Sequence, residues 1–211
     1  MKYAKKIPSV DKELSDKLIL DGWIKIKEPS NLGTATLLSV PFMFINGAIS
    51  MAIAFYLYPP LKEFFNSNKQ GFSISISADL FTMIYEIVVI LLFMVLHEFL
   101  HACFIPNVLR SDKTYWGING FCGFVFTTEK IKKGRFVIIS IMPFILLSVI
   151  LPFILNSLGL LNAYTIILCL INSMGSCVDF LNICLVAIQI PNGSYIVNNG
   201  FETFYIDTSH M

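Results

Sequence analysis

Charge is scarce in this sequence: 14% of its 211 residues are Asp, Glu, Lys or Arg, and the formal net charge is +1. With 55% hydrophobic residues and a mean hydropathy of +0.72, the chain is far more apolar than an ordinary soluble domain. Lipid is the solvent that such a composition suits. The near-neutral balance also lacks the basic surface that nucleic acid demands, so no nucleic-acid partner is expected. Five cysteines, Cys103, Cys122, Cys169, Cys177 and Cys184, are odd in number, show no C-x-x-C spacing and fall mostly in apolar segments. No disulfide framework is indicated, and they read as unpaired thiols. No short apolar run follows the basic start, so no cleaved leader is expected. Instead, residues 1–34 are polar and amphipathic, with seven lysines from Lys2 to Lys27. Leu18, Ile19, Leu20, Trp23 and Ile24 can bury against a membrane or a helical bundle while the lysines face water.

What the sequence does contain is about four apolar stretches near the roughly 20 residues that a membrane-spanning helix needs. They run from about Thr36 to Tyr58, ending at Pro59-Pro60; from about Ala78 to Ile105, closed by Pro106; from about Phe136 to Leu158, with Pro143 and Pro152 as kinks; and from about Ala163 to Ile190, stopped by Pro191. Seven basic residues precede the first stretch, two lie between the first and second, six between the second and third, and none later, which accounts for all 15. Both termini are therefore expected to be cytoplasmic. Tyr115 to Thr128, with Gly117-Ile118-Asn119-Gly120, predicts a small hairpin, and the tail from Asn192 to Ile206 predicts a second around Asn198-Asn199-Gly200. The expected fold is an all-α polytopic membrane protein of about four transmembrane helices with small cytoplasmic β-hairpins. Its parts are a cytoplasmic amphipathic segment at 1–34, a transmembrane domain at 35–190 and a cytoplasmic tail at 191–211.

Histidine is scarcer still, with three in the chain, yet two of them stand four apart in His97-Glu98-Phe99-Leu100-His101. On a helix, that spacing puts two imidazoles on one face, where they can share a Zn2+ ion. In the H-E-x-x-H arrangement the glutamate, here Glu98, is the general base for the attacking water and passes its proton to the leaving amine. Random placement of three histidines and 14 acids in 211 residues gives an H-[D/E]-x-x-H match only about 0.3% of the time. A catalytic zinc needs a third protein ligand. His210 lies beside the C-terminus, so a carboxylate is favoured, and Asp179 in the fourth apolar stretch is the best candidate. An unpaired carboxylate there is costly, and Asn172, Ser176 and Asn182 form a polar stripe beside it. Glu129, in the basic loop, is expected to pair with Lys130 or its neighbours. Glu86 either lines a water path or reaches outward. Asn172 is a candidate for positioning substrate or for helix packing. The hairpin at Tyr115 to Thr128 can offer an edge to an extended substrate.

These residues, His97-Glu98-Phe99-Leu100-His101 ending one membrane helix, Ile141-Met142-Pro143 early in the next and Asn172 through Asp179 in the last, resemble the zincin-peptidase family of small bacterial membrane proteins. That family is related in plan to the site-2 intramembrane metalloproteases. The resemblance runs from about Leu80 to Ile206, and H-E-x-x-H is its specific element. It implies a third zinc ligand from an aspartate in a later membrane helix, the place of Asp179; Phe180 follows it where site-2 proteases carry glycine. The sequence thus predicts a zinc peptidase of a bacterial cell membrane, with His97, His101 and Asp179 as ligands, Glu98 as base and a membrane-associated protein or peptide as substrate. The rival reading is a non-enzymatic membrane scaffold or pseudo-protease that binds other membrane proteins, for which an intact Glu98 would be unnecessary.

Overall fold

The computed structural model describes residues 1–6, 8–66, 79–119 and 122–207, so His210 lies outside the described residues. In chain order the helices are α1 (Lys12–Leu20), α2 (Leu32–Leu57), α3 (Pro59–Asn66), α4 (Leu80–Phe104), α5 (Lys133–Phe144), α6 (Leu151–Ser157), α7 (Ala163–Gly175) and α8 (Cys177–Gln189). A π-helical segment, Ile145–Ile150, joins α5 to α6. Among the described residues, four helical stretches are long and apolar enough to cross a membrane: α2, α4, Lys133–Ser157 and Ala163–Gln189. Each of the four expected stretches is thus helical.

The details depart from expectation where proline and serine act on the backbone. Pro59-Pro60 ends α2 but also begins α3, because proline suits a first helical turn. In the third span, Pro143 and Pro152 bracket the π-helical turn. That span begins at Lys133, earlier than the apolar run, so Lys133 and Arg135 fall in its first turn. Lys133 is put to use there: its Nζ donates to Ile190 O at 2.6 Å and to Asn192 Oδ1 at 3.2 Å, closing the C-terminus of α8. The fourth span is two helices, α7 and α8, broken at Ser176. Ser176 Oγ donates to the Asn172 carbonyl at 2.9 Å, a back-bond that bends a helix.

Outside the spans, both predicted hairpins form, and each recruits a strand from the N-terminal segment. One sheet has the order β1-β3-β4, from Lys2–Tyr3, Thr114–Asn119 and Cys122–Thr127, with β1 parallel to β3. The other has the order β2-β7-β6-β5, from Ile24–Lys25, Glu202–Ile206, Tyr195–Asn199 and Ile131–Lys132. The N-terminal segment therefore contributes one strand to each sheet, and through β2 it is joined to the C-terminal hairpin. Gly117 permits the first sheet, since a Cβ there would sit 1.9 Å from the Ala4 carbonyl oxygen.

The second sheet lies between α1 and the helix ends. Leu18 of α1 packs with Val197 and Phe204, flanked by Leu14 and Trp23, on one face. On the other, Ile26 and Ile196 pack with Val186 and Ile190 at the end of α8, joined by Phe136 and Tyr205. Of the apolar residues singled out in the N-terminal segment, Leu18 is buried, whereas Ile19, Leu20 and Ile24 are exposed.

Candidate metal centre

The middle of the bundle brings His97 and His101 of α4 against Asp179 of α8. The imidazoles come from one face of α4, as their spacing requires. Asp179 stands in the first turn of α8, immediately after the break at Ser176, where the positive end of a helix dipole favours a carboxylate. His97 Nε2 and His101 Nε2 are 3.1 Å apart. Asp179 Oδ2 is 3.4 Å from His97 Nε2, and Oδ1 is 3.5 Å from His101 Nε2. Ligand atoms about 2.0–2.1 Å from a tetrahedral zinc stand about 3.3 Å from one another. The two nitrogens, and each nitrogen with its nearer carboxylate oxygen, approach that value, and with one ligand atom taken from each residue the three lie within 4.8 Å of one another.

The direction of every hydrogen bond around the two rings follows from groups that can only accept. Ser148 Oγ donates to the Cys169 carbonyl at 3.0 Å, leaving its oxygen free to accept. Asn172 Nδ2 donates to Ser148 Oγ at 2.8 Å and to the Pro143 carbonyl at 3.4 Å. A carbonyl carries no hydrogen, so the Asn172 amide is fixed with Oδ1 toward His97. His97 Nδ1 therefore holds the ring hydrogen and donates it to Asn172 Oδ1 at 2.8 Å. His101 Nδ1 likewise donates to the Ile139 carbonyl at 2.8 Å. That carbonyl is available because the residue four ahead is Pro143, which has no N–H to return in the helix.

With Nδ1 of each ring turned to its acceptor, both Nε2 atoms face each other and a carboxylate, and each would offer a lone pair in the neutral ring. A shared proton can bridge one pair of these atoms, whereas a zinc ion can accept from all three. Hydrogen bonds behind the ligating nitrogens are how metal-binding histidines are held in the required tautomer. The donor set fits zinc.

Glu98 lies beside the ligands, on the side covered by β4. A Cβ on Gly123 would come within 2.7 Å of Glu98 Cγ, so the bare glycine is what lets the strand settle there. The Glu98 carboxyl lies against the backbone amide of Val125. Trp116, the partner of Val125 across the hairpin, directs its carbonyl the other way, to Ala4 N of the chain beside β3 at 2.9 Å. Trp116 and Val125 are therefore a non-hydrogen-bonded pair, and the peptide groups of Val125 project from the open edge of β4. That edge faces Glu98.

The other candidates lie elsewhere. Glu129 accepts from Ser111 Oγ at 2.7 Å, in place of the expected lysine partner. Glu86 is exposed on α4, where its backbone carbonyl accepts from Tyr164 OH at 3.3 Å. Asn182 is partly buried on α8. Sequence reasoning did not single out Ser148, Ile139 or Gly123. Ser148 is a polar residue in an apolar span, a signal that was there to read. Pro143 marks the free carbonyl of Ile139 by its position four residues later. Gly123 gives no such sign outside the folded hairpin.

The chain matches no curated protein and no solved structure. A family model described as "Putative zincin peptidase" does match, over residues 90–195, half of the chain, from the middle of α4 to the first residue of β6. That stretch contains His97, Glu98, His101, Gly123, Asn172 and Asp179. With H-E-x-x-H on a helix of this bundle and the match covering the whole site, the chain belongs to this zincin peptidase family.

Proposed function

We propose that the chain is a zinc-dependent peptidase embedded in the membrane, with His97, His101 and Asp179 as zinc ligands and Glu98 as general base. The observation that carries this reading is the convergence of two Nε2 atoms and one carboxylate, each ring fixed by the bond behind it. Zinc bound there supplies Lewis acidity toward a substrate carbonyl. Glu98 takes a proton from the attacking water and delivers it to the amine nitrogen as the peptide C–N bond breaks. Asn172 acts as a positioning residue through His97.

The open edge of β4 supports an extended substrate. A segment paired along this edge would run directly past Glu98, whose side chain packs against the strand at Gly123. A helical membrane substrate must unwind locally to lie there. The ligand plan, two histidines from one span and an aspartate from a later one, is similar to that of site-2 proteases, with Phe180 after Asp179 as a departure. We place the protein in a bacterial cell membrane with both termini cytoplasmic, on the distribution of its lysines and arginines, acting on membrane-associated proteins or peptides.

Elemental analysis of the detergent-purified protein tests the ligands. About one zinc per chain is expected in the wild type, with loss in both His97→Ala and Asp179→Ala. Zinc lost from the histidine variant alone would remove Asp179 from the ligand set. Glu98→Gln should keep its zinc and abolish cleavage, read as new N-termini in membranes of expressing cells by mass spectrometry. Cleavage that persists in Glu98→Gln would sink the mechanism.

A further inference from the structure

The face of the second sheet that sits on the helix ends extends beyond them. Ile24 and Ile26 are two residues apart on β2 and its continuation, so their side chains share a face. Ile26 is buried against Val186 and Ile190 of α8. Ile24 carries the same face outward on an edge strand and is 53% exposed. Tyr205 stands opposite it in the ladder and packs beside the same cluster. The strand's continuation is tied to the helix end, where Gln189 accepts from Lys27 N at 2.7 Å and donates to Lys27 O at 2.9 Å. Next to Gln189, Ile188 is 83% exposed on α8. Ile24 and Tyr205 on the sheet thus form an apolar rim at the end of the fourth span, where the helix itself exposes Ile188 to the surface that lipid would cover.

We infer that this rim rests in the boundary between lipid headgroups and acyl chains, so that the second sheet lies on the bilayer rather than standing clear of it. The inference rests on the reading of the four helices as membrane spans. An isoleucine and a tyrosine suit that boundary, the ring buried and the hydroxyl at headgroup level. Lys25, on the opposite face of the strand, turns away and pairs with Glu202 at 2.6 Å. The rim also sets a depth. Asp179 lies nine residues before Ile188 on the same helix, about 13 Å further in at roughly 1.5 Å per residue. In a hydrocarbon core about 30 Å thick, the metal centre then sits just short of the middle.

Single-tryptophan variants test this in phosphatidylcholine vesicles with chains brominated at shallow or deep positions. Trp23 and Trp116 are replaced by phenylalanine, and one tryptophan is introduced by Ile24→Trp, by Asp16→Trp on the exposed side of α1, or by Leu92→Trp on the exposed surface of α4. Ile24→Trp should lose about half of its emission or more to shallow bromines, and Asp16→Trp essentially none. Leu92→Trp should be quenched by deep bromines, which reports that the spans are inserted. An unquenched Ile24→Trp beside a quenched Leu92→Trp overturns the inference while leaving the membrane reading intact. If neither is quenched, both fall. Tyr205→Trp reports on the same face should Ile24→Trp not fold, and is held to the same outcome.

Discussion

Two groups of polar side chains are buried in the bundle, on opposite sides of α7. Toward α4 and α5, Asn172 joins Ser148, the Pro143 carbonyl and His97, and every hydrogen has an acceptor. Toward α2, Ser173 donates to the Asn46 backbone carbonyl at 2.6 Å, while both polar atoms of the fully buried Asn46 side chain have no protein partner. Polarity inside an apolar helix is common to both sides. What distinguishes the metal side is direction: its bonds begin at carbonyls and end by exposing lone pairs toward one point. A buried amide without that order is a cost of roughly 1–3 kcal/mol.

The sharpest test of the ordered side short of removing a ligand is Gly123→Val. Its branched side chain must displace Glu98, and a general base misplaced by about 1 Å should cost about a hundredfold in cleavage while zinc content holds. Zinc loss in this variant would mean that β4 supports the ligands rather than the base. Next in size, Asn172→Leu frees the His97 ring to turn or change tautomer. Zinc affinity, measured by competition with a chelator, should fall about tenfold to a hundredfold. An unchanged affinity would make Asn172 a packing residue.

On the disordered-bond side the expected sign reverses. Asn46→Leu replaces two unpartnered polar atoms by methyl groups on the same branched frame and should raise Tm by about 2–4 °C. A lower Tm would show that the amide is partnered in the membrane and would erase the contrast between the two sides.

The smallest effect lies outside the membrane. Burial holds the Glu28 carboxyl above its usual range, against the pull of the Thr203 hydroxyl and amide and of Lys25. Its contribution to stability is full at acid pH and is lost as pH rises through that elevated pKa. Glu202 behaves oppositely. Burial pushes it up, but hydrogen bonds from Lys25 and Ser15 outweigh burial and hold it low, so its contribution is present at neutral pH and lost as pH falls. Glu28→Gln can keep the bond from Thr203 N and donate to Thr203 Oγ1, whose hydrogen then goes to Asn198 Oδ1. It should raise Tm at neutral pH by about 2 °C and leave Tm at acid pH nearly unchanged. An equal rise at both would assign the gain to packing instead of charge.

Much of the bundle was legible because spans are written in long apolar runs, and the two hairpins because β-branched and aromatic residues flank glycine and asparagine, although Gly117, Ile118 and Asn119 prove to be strand residues of β3, and Asn198 and Asn199 of β6. The shared face of His97 and His101 was legible because residues four apart on a helix project together, and Asp179 stood out because charge is rare in an apolar stretch. The break at Ser176 was not, since a serine hydroxyl competes for a backbone carbonyl only once the helix exists. Nor were the strands β1 and β2, two residues each in a lysine-rich segment. Their pairing depends on edges built far along the chain, which no local pattern describes.

Those two strands impose an order on biogenesis. β2 pairs with β7, whose residues emerge from the ribosome only after all four spans, and Asp179 itself arrives with the last of them. A nascent chain presenting only α2 and α4 has two histidines but not their carboxylate partner. Long-range pairing of this kind is slow to form. Asp179 therefore joins His97 and His101 only once the fourth span has been made, so the three side chains of the candidate centre cannot be together before that point in translation.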